Sequence, residues 1–115
     1  MAAVYVNNLV VNAGSDFSQS FTLEGTDTNS AFDLSGYTVS AQMRKWAGSS
    51  SATDFTTSIE LPASLGKILL RLTATQTTEI KPGRYVYDVV IKTNSNVRTR
   101  VLEGIVNVLP QVTVF

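Results

Sequence analysis

The chain contains no cysteine and no histidine. Without cysteine there is no disulfide framework, no thiolate nucleophile and no thiolate metal site. Without histidine the commonest general base and the commonest zinc ligand are both missing. A Ser-His-Asp or Cys-His arrangement cannot be assembled from these residues. An excess of either charge is also lacking, with nine Lys and Arg against nine Asp and Glu. Proteins that grip nucleic acid leave a basic footprint, so no nucleic-acid partner is expected. No apolar run approaches the roughly 20 residues that cross a bilayer, and no membrane partner is expected either. The opening residues, MAAVYVNNLVVNAG, have no basic n-region, and Asn7, Asn8 and Asn12 interrupt their apolar run. They read as a β-strand of the folded domain and not as a signal peptide.

What is present is alternation. The 115 residues suit one domain, 1–115, large enough to bury a core without staples. Apolar residues recur with period two, and no long helical period competes. Residues 3–12 form a β-rich stretch that bends at the two Asn. Residues 16–24 put Phe17, Phe21 and Leu23 on one face. YTVSAQMRKW, 37–46, sends Tyr37, Val39, Ala41 and Met43 inward and Thr38, Ser40, Gln42 and Arg44 outward. Residues 54–61 align Phe55, Thr57, Ile59 and Leu61. KILLRLT, 67–73, aligns Ile68, Leu70 and Leu72. Residues 74–81 suit a helical turn capped by Thr75 or Thr77, with Glu79 in its first turn. Pro82 and Gly83 then make a turn. PGRYVYDVVIKT, 82–93, aligns Tyr85, Tyr87, Val89 and Ile91. TNSN, 93–96, closes a hairpin onto VRTRVLEGIVNV, 97–108, where Gly104 marks a bulge or a close backbone approach. Several short strands separated by turns predict an all-β, two-layer antiparallel β-sandwich, immunoglobulin-like or jelly-roll-like, of seven to nine strands with at most one short helix. The expected core is Phe21, Leu23, Val39, Ala41, Met43, Ile68, Leu70, Leu72, Tyr85, Tyr87, Val89 and Ile91. A buried Tyr87 should bring its hydroxyl to a polar partner.

The acid inside the longest strand, Asp88, has a structural explanation. The return strand offers Val97, Thr99 and Val101 to the core and Arg98 and Arg100 to the other face. A three-residue loop at 93–95 matches core face to core face and sets Asp88 opposite Arg100. Such a cross-strand pair contributes about 0.2–1 kcal/mol. The other three-residue loop, 94–96, would set Lys92 against Arg98, two like charges. No second close acid supports Asp88 as a catalyst. Elsewhere, Asp27, Asn29 and Asp33 are spaced faintly like a calcium loop but lack its glycine and terminal Glu. Asx turns explain them. Trp46, beside a Ser-rich loop, is a core cap, an interface anchor or a sugar platform. No catalytic, cofactor or metal residue is assigned. The structural and interface candidates are Trp46, Tyr85, Tyr87, Asp88, Arg100, Val112, Val114 and Phe115.

Charge is unevenly spread. Residues 1–43 hold Asp16, Glu24, Asp27 and Asp33 and no base, so the remainder holds nine bases and five acids. That split suits head-to-tail association of copies. Both ends are also apolar and β-rich, which suits strand pairing either within the domain or with a neighbour.

Taken in order, Leu34 to Gly36, Gln42 to Lys45, Gly83 to Asp88 and Glu103 to Val108 resemble a recurring pattern. It is that of small virion structural proteins of tailed, cyanophage-type phages. The pattern is also similar to the N-terminal β-sandwich domain of phage baseplate upper proteins, whose long C-terminal region has no counterpart here. The resemblance spans nearly the whole chain. It implies a non-enzymatic building block of the virion, without cofactor, homo-oligomeric in the assembly. Such a block docks on other virion proteins at tail, baseplate, neck or fibre. Capsid decoration and a carbohydrate-binding adhesion sandwich are the alternatives, and a sandwich fold alone does not choose among them.

Overall fold

The computed structural model describes residues 5–24 and 32–114. Alternating segments become strands, and turn residues separate them. The strands are β1 (Tyr5–Val6), β2 (Leu9–Asn12), β3 (Phe17–Thr22), β4 (Thr38–Arg44), β5 (Thr53–Asp54), β6 (Thr56–Ile59), β7 (Lys67–Leu72), β8 (Gly83–Lys92) and β9 (Arg98–Leu109). One short helix, α1 (Ala74–Thr78), lies between β7 and β8, and a 3-10 turn at Ala63–Leu65 precedes β7. No helix among the described residues is long and apolar enough to cross a membrane.

The strands form two layers. The larger sheet has the order β1-β9-β8-β4-β5, with β2 also on β9, and the smaller has β3-β7-β6. The expected sandwich is present, and the strand count among the described residues falls at the top of the expected range. Its antiparallel character is incomplete, because β1 and β2 both run parallel to β9. The N-terminal segment therefore closes an edge of its own domain. The jog at Asn7 and Asn8 separates β1 from β2. Asn7 N donates to Glu103 O at 2.9 Å, and Asn8 Oδ1 accepts Ile105 N at 3.1 Å. The two Asn thus continue the pairing to β9 through one backbone and one side-chain bond.

Between the layers lie Leu9, Val11, Phe17, Phe21, Leu23, Leu34, Ala41, Met43, Phe55, Ile68, Leu70, Leu72, Ile80, Tyr87, Val89, Ile91, Val101, Leu102, Val106 and Val108. Ten of the twelve expected core residues are among these, while Val39 and Tyr85 pack against them half-buried. Two expectations for the same face fail. Leu61 is 85% exposed, since the sheet ends at Ile59 and Leu61 belongs to the turn into β7. Val97 is exposed because it sits at the open end of the hairpin, just after the loop, where its carbonyl accepts Thr93 N at 2.9 Å. The stretch 54–61 is also not one strand. The chain pairs with β4 through Thr53 and Asp54, crosses the core at Phe55, and joins β7 from Thr56 onward. Phe55 N donates to Ala41 O at 3.0 Å, and its ring lies 6.0 Å from Phe17 and 6.2 Å from Tyr87.

The cap of α1 is Thr73, not Thr75 or Thr77. Thr73 Oγ1 accepts Gln76 N at 3.2 Å, and Gln76 Oε1 accepts Thr73 N at 2.9 Å, a reciprocal capping box. Glu79 stands at the C-terminal end of the helix. Thr77 is fully buried and ties the helix to the β2–β3 turn. Its Oγ1 accepts Gly14 N at 3.0 Å and can donate to Ser15 O at 2.9 Å or Ala74 O at 3.1 Å. Asp16 Oδ1 accepts Ala74 N at 2.7 Å, so an acid sits on the first turn of the helix.

The hairpin takes the loop 94–96, so Lys92 does lie opposite Arg98. Turn chemistry decides this. Asn96 adopts φ 66°, a left-handed conformation that Asn tolerates, and its N–H bonds to Thr93 O at 3.0 Å. Thr93 Oγ1 accepts Ser95 N and Val97 N at 3.2 and 3.1 Å. Hydrogen bonds of about 0.5–1.5 kcal/mol each outweigh a solvated like-charge pair of about 0.2–1 kcal/mol.

Further along the hairpin the register shifts between Val89 and Val90. Val90 faces Arg100 and Val89 faces Leu102, so Val101 is the extra residue of a β-bulge. Both Val101 and Leu102 are buried. The inward set on β9 thereby changes from odd positions to Leu102, Gly104, Val106 and Val108. Gly104 is not the bulge but the close approach. A Cβ there would overlap the Asn7 carbonyl oxygen and lie 3.1 Å from the Tyr87 ring.

Candidate docking face

Strand pairing places one outward row from each strand of the larger sheet side by side. Even positions of β4 and β8 point outward, as do Glu103, Ile105 and Asn107 of β9 beyond the bulge. Across the strands the successive rows are Thr38–Lys92–Arg98, then Ser40–Val90–Arg100. Gln42–Asp88–Glu103–Val6 follows, then Arg44–Val86–Ile105, and last Arg84–Asn107–Val10. Trp46 follows β4 and stands at the edge of this face.

The centre of the face is an ion cluster. Asp88 lies directly opposite Glu103, not Arg100. The expected partner is nevertheless met on the diagonal, with Arg100 Nε 3.3 Å from Asp88 Oδ2 and Nη1 3.8 Å from Glu103 Oε2. A second acid is therefore close to Asp88, contrary to the sequence reading. One guanidinium holds both carboxylates. Beside them Gln42 Nε2 donates to Asp54 Oδ1 at 2.6 Å, and Arg44 donates to Gln42 Oε1 at 3.1 Å and Ser49 O at 2.5 Å. Every long polar side chain in the middle rows is held by a neighbour.

Around this ladder runs an apolar rim. Val6, Val86 and Trp46 are exposed, Trp46 to 62%. With Ile105, Gly104, Gln42, Arg44, Lys45 and the Asp88–Arg100–Glu103 cluster they line an open groove of about 690 Å³. Trp46 is thus not a core cap. A second hollow, about 610 Å³, lies beyond Lys45 and is lined by Met43, Tyr85 and residues 79–82. Arg44 and Lys45 line both, and Tyr85 lines the second. Its hydroxyl donates to Lys81 O at 2.7 Å, and the Lys45 ammonium stands 5.0 Å from its ring centroid.

Tyr87 points the other way, into the core. Its hydroxyl donates to Asn7 O at 2.6 Å, the expected polar partner. Burial pushes its pKa up to about 12. Asp33 makes the expected Asx turn, accepting Ser35 Oγ at 2.6 Å and Ser35 N at 3.0 Å. These bonds hold its pKa below the usual carboxylate value, the side-chain bond being the larger cause. Asp27 and Asn29 lie outside the described residues. Among the described residues no group of three His, Cys, Asp or Glu could hold a metal ion.

At the C-terminal side, residues 110–114 form no strand. Val112 is 93% exposed and Val114 is exposed as well. Phe115 lies outside the described residues.

No family model matches the chain, and no curated protein matches it. Solved structures do share its architecture. The SrpA adhesin of Streptococcus sanguinis superposes with a TM-score of 0.52 at 11% identity, over 96% of this chain and 57% of that one. An internalin-like protein of Listeria monocytogenes gives 0.48 at 13% identity, over 92% of this chain and 28% of that one. A family 123 glycoside hydrolase from Clostridium perfringens gives 0.46 at 10% identity, over 93% and 23%. The chain therefore spans between 23% and 57% of the length of these structures. At such identities the likeness is one of fold alone.

Proposed function

We propose that this chain is a non-enzymatic binding module that docks on other proteins, and specifically a structural protein of a tailed-phage virion. The observation that carries the docking role is the outer face of the larger sheet. It is open, its polar groups are braced by one another, and exposed Val6, Val86 and Trp46 surround them. Interfaces favour such a site, with an aromatic anchor beside Arg and a braced polar rim. The virion assignment rests on the sequence resemblance. The test is mass spectrometry of purified particles, followed by localisation of the chain by electron microscopy. Detection at tail, baseplate, neck or fibre supports the reading, and detection on the shell moves it to capsid decoration. Absence from purified particles overturns the virion assignment.

A second reading has one specific observation behind it. The exposed Trp46 ring beside the Asp88–Arg100–Glu103 cluster offers a stacking surface with hydrogen-bonding groups at its edge, as a sugar requires. The fold shared with a streptococcal adhesin suits a binding module of either kind. A glycan-array signal that disappears in Trp46→Ala favours carbohydrate; protein capture that disappears in the same variant favours docking.

A further inference from the structure

The groove has a counterpart at the opposite end of the same molecule. The turn from β6 to β7 carries Leu61, which is 85% exposed, and Leu65, also exposed. Backbone bonds fix this tip. Glu60 N donates to Lys67 O at 3.0 Å, Leu23 N to Gly66 O at 2.8 Å, and Leu34 N to Ala63 O at 3.0 Å. Phe32 N donates to Leu23 O at 2.9 Å. The segments so joined carry Glu60, Glu24 and Asp33 beside the turn with the two leucines, and among their described residues the one cation is Lys67. Asp33 keeps its charge below the usual carboxylate range. The tip is thus apolar with an acidic rim.

The groove sets an apolar edge of Val6, Val86 and Trp46 around the Asp88–Arg100–Glu103 cluster, and two further cations, Arg44 and Lys45, line it. Arg44, Arg84, Lys92, Arg98 and Arg100 project from the outer face, against Asp54, Asp88 and Glu103. Asp88 and Glu103 are both held by Arg100. Arg44 and Lys45, at the groove itself, have no carboxylate partner among the described residues. A chain with no net charge therefore keeps a basic face and an acidic tip apart. Tip and groove cannot meet within one molecule. The tip is bonded to the segment that enters β4 at Thr38, and Trp46 follows the other end of β4, about 20 Å away along a strand.

We propose, resting on the docking role above, that the partner at this face is a second copy of the chain. The Leu61–Leu65 tip of one molecule seats against Trp46, Val86 and Ile105 of the next. Its Glu60, Glu24 and Asp33 face Arg44 and Lys45. Because the two surfaces differ, the contact is heterologous, and copies add into a ring or an open row. Pairing of two identical outer faces would set cations against cations, which disfavours the symmetric dimer.

Sedimentation of the full chain tests this. The expected result is association that grows with concentration and weakens as salt screens the rims. Leu61→Asp and Trp46→Ala change exposed side chains, and unchanged melting curves would show that both variants fold. Each alone should be monomeric. Mixed in equal amounts they should form a 1:1 dimer and nothing larger, since Leu61→Asp keeps its groove and Trp46→Ala keeps its tip. Wild-type protein that stays monomeric at every concentration overturns the inference, as do variants that associate like wild type or a mixture that yields no dimer. A monomeric wild type that still captures another virion protein through Trp46 would remove this partner and leave the docking role standing. A protein that captures no protein at all would remove both.

Discussion

Arg100 reaches Asp88 diagonally across the β8–β9 hairpin, Nε to Oδ2 3.3 Å, while its own cross-strand neighbour is Val90. The guanidinium separates two carboxylates that would otherwise oppose each other, since Asp88 faces Glu103. Arg100→Ala should therefore leave a like-charge pair and lower stability by about 0.2–1 kcal/mol, screened because the groups are half exposed. Adding Glu103→Gln should recover most of that loss. Urea denaturation of the single and double variants measures both, and the difference should shrink in high salt.

The bulge at Val101 buries two adjacent residues. In a regular strand one of the two would face solvent, and its truncation would be harmless. Here Leu102→Ala should cost about 2–5 kcal/mol, and Val101→Ala should also be clearly destabilising. An unshifted denaturation midpoint for either variant would contradict the bulge.

Thr77 holds the β2–β3 turn to α1 through a single oxygen. Thr77→Val keeps the shape but leaves Gly14 N–H without its acceptor, at about 1–3 kcal/mol. Faster hydrogen exchange at the Gly14 amide, with the sheet amides unchanged, would locate the loss at that bond.

Tyr87 gives a pH dependence with a definite sign. Its folded pKa, about 12, lies above the ordinary phenol value of 10.0. Stability from this group is whole below about pH 10, where the phenol is protonated in both states. Between about pH 10 and 12 the unfolded chain loses the proton and the native protein keeps it, so stability falls. Melting temperatures recorded across this window should drop less steeply for Tyr87→Phe than for the wild type.

The layers were legible in the sequence because β4, β7 and β8 alternate cleanly, and alternation is what a half-buried strand requires. The partner of Asp88 was legible too, for a reason that did not hold. Arg is long enough to reach across a diagonal, so an ion pair does not fix a register. The signal that would have fixed it is the change of apolar phase on β9, from Thr99 and Val101 to Leu102, Val106 and Val108, with two bulky residues adjacent at the switch. The groove was not legible. Val6, Gln42, Val86 and Ile105 come from four strands, and the parallel pairing that brings Val6 to Glu103 leaves no mark in local spacing. Trp46 alone announced itself, as a large aromatic beside a Ser-rich loop.

The parallel run of β1 and β2 along β9 has a mechanical meaning. Tyr5 lies at the hairpin end of β9 and Leu109 at the far end, beside Asn12. Tension applied through the segments before Tyr5 and after Leu109 would pull these strands past each other lengthwise. The two register pairs of β1 and the four of β2 would then bear load together in shear, and would not open one after another like a zip. Resistance to forced unfolding is a matter of rate, and this geometry raises the barrier without adding equilibrium stability. A chain held at both poles while its neighbours are pulled would keep its shape longest along that axis.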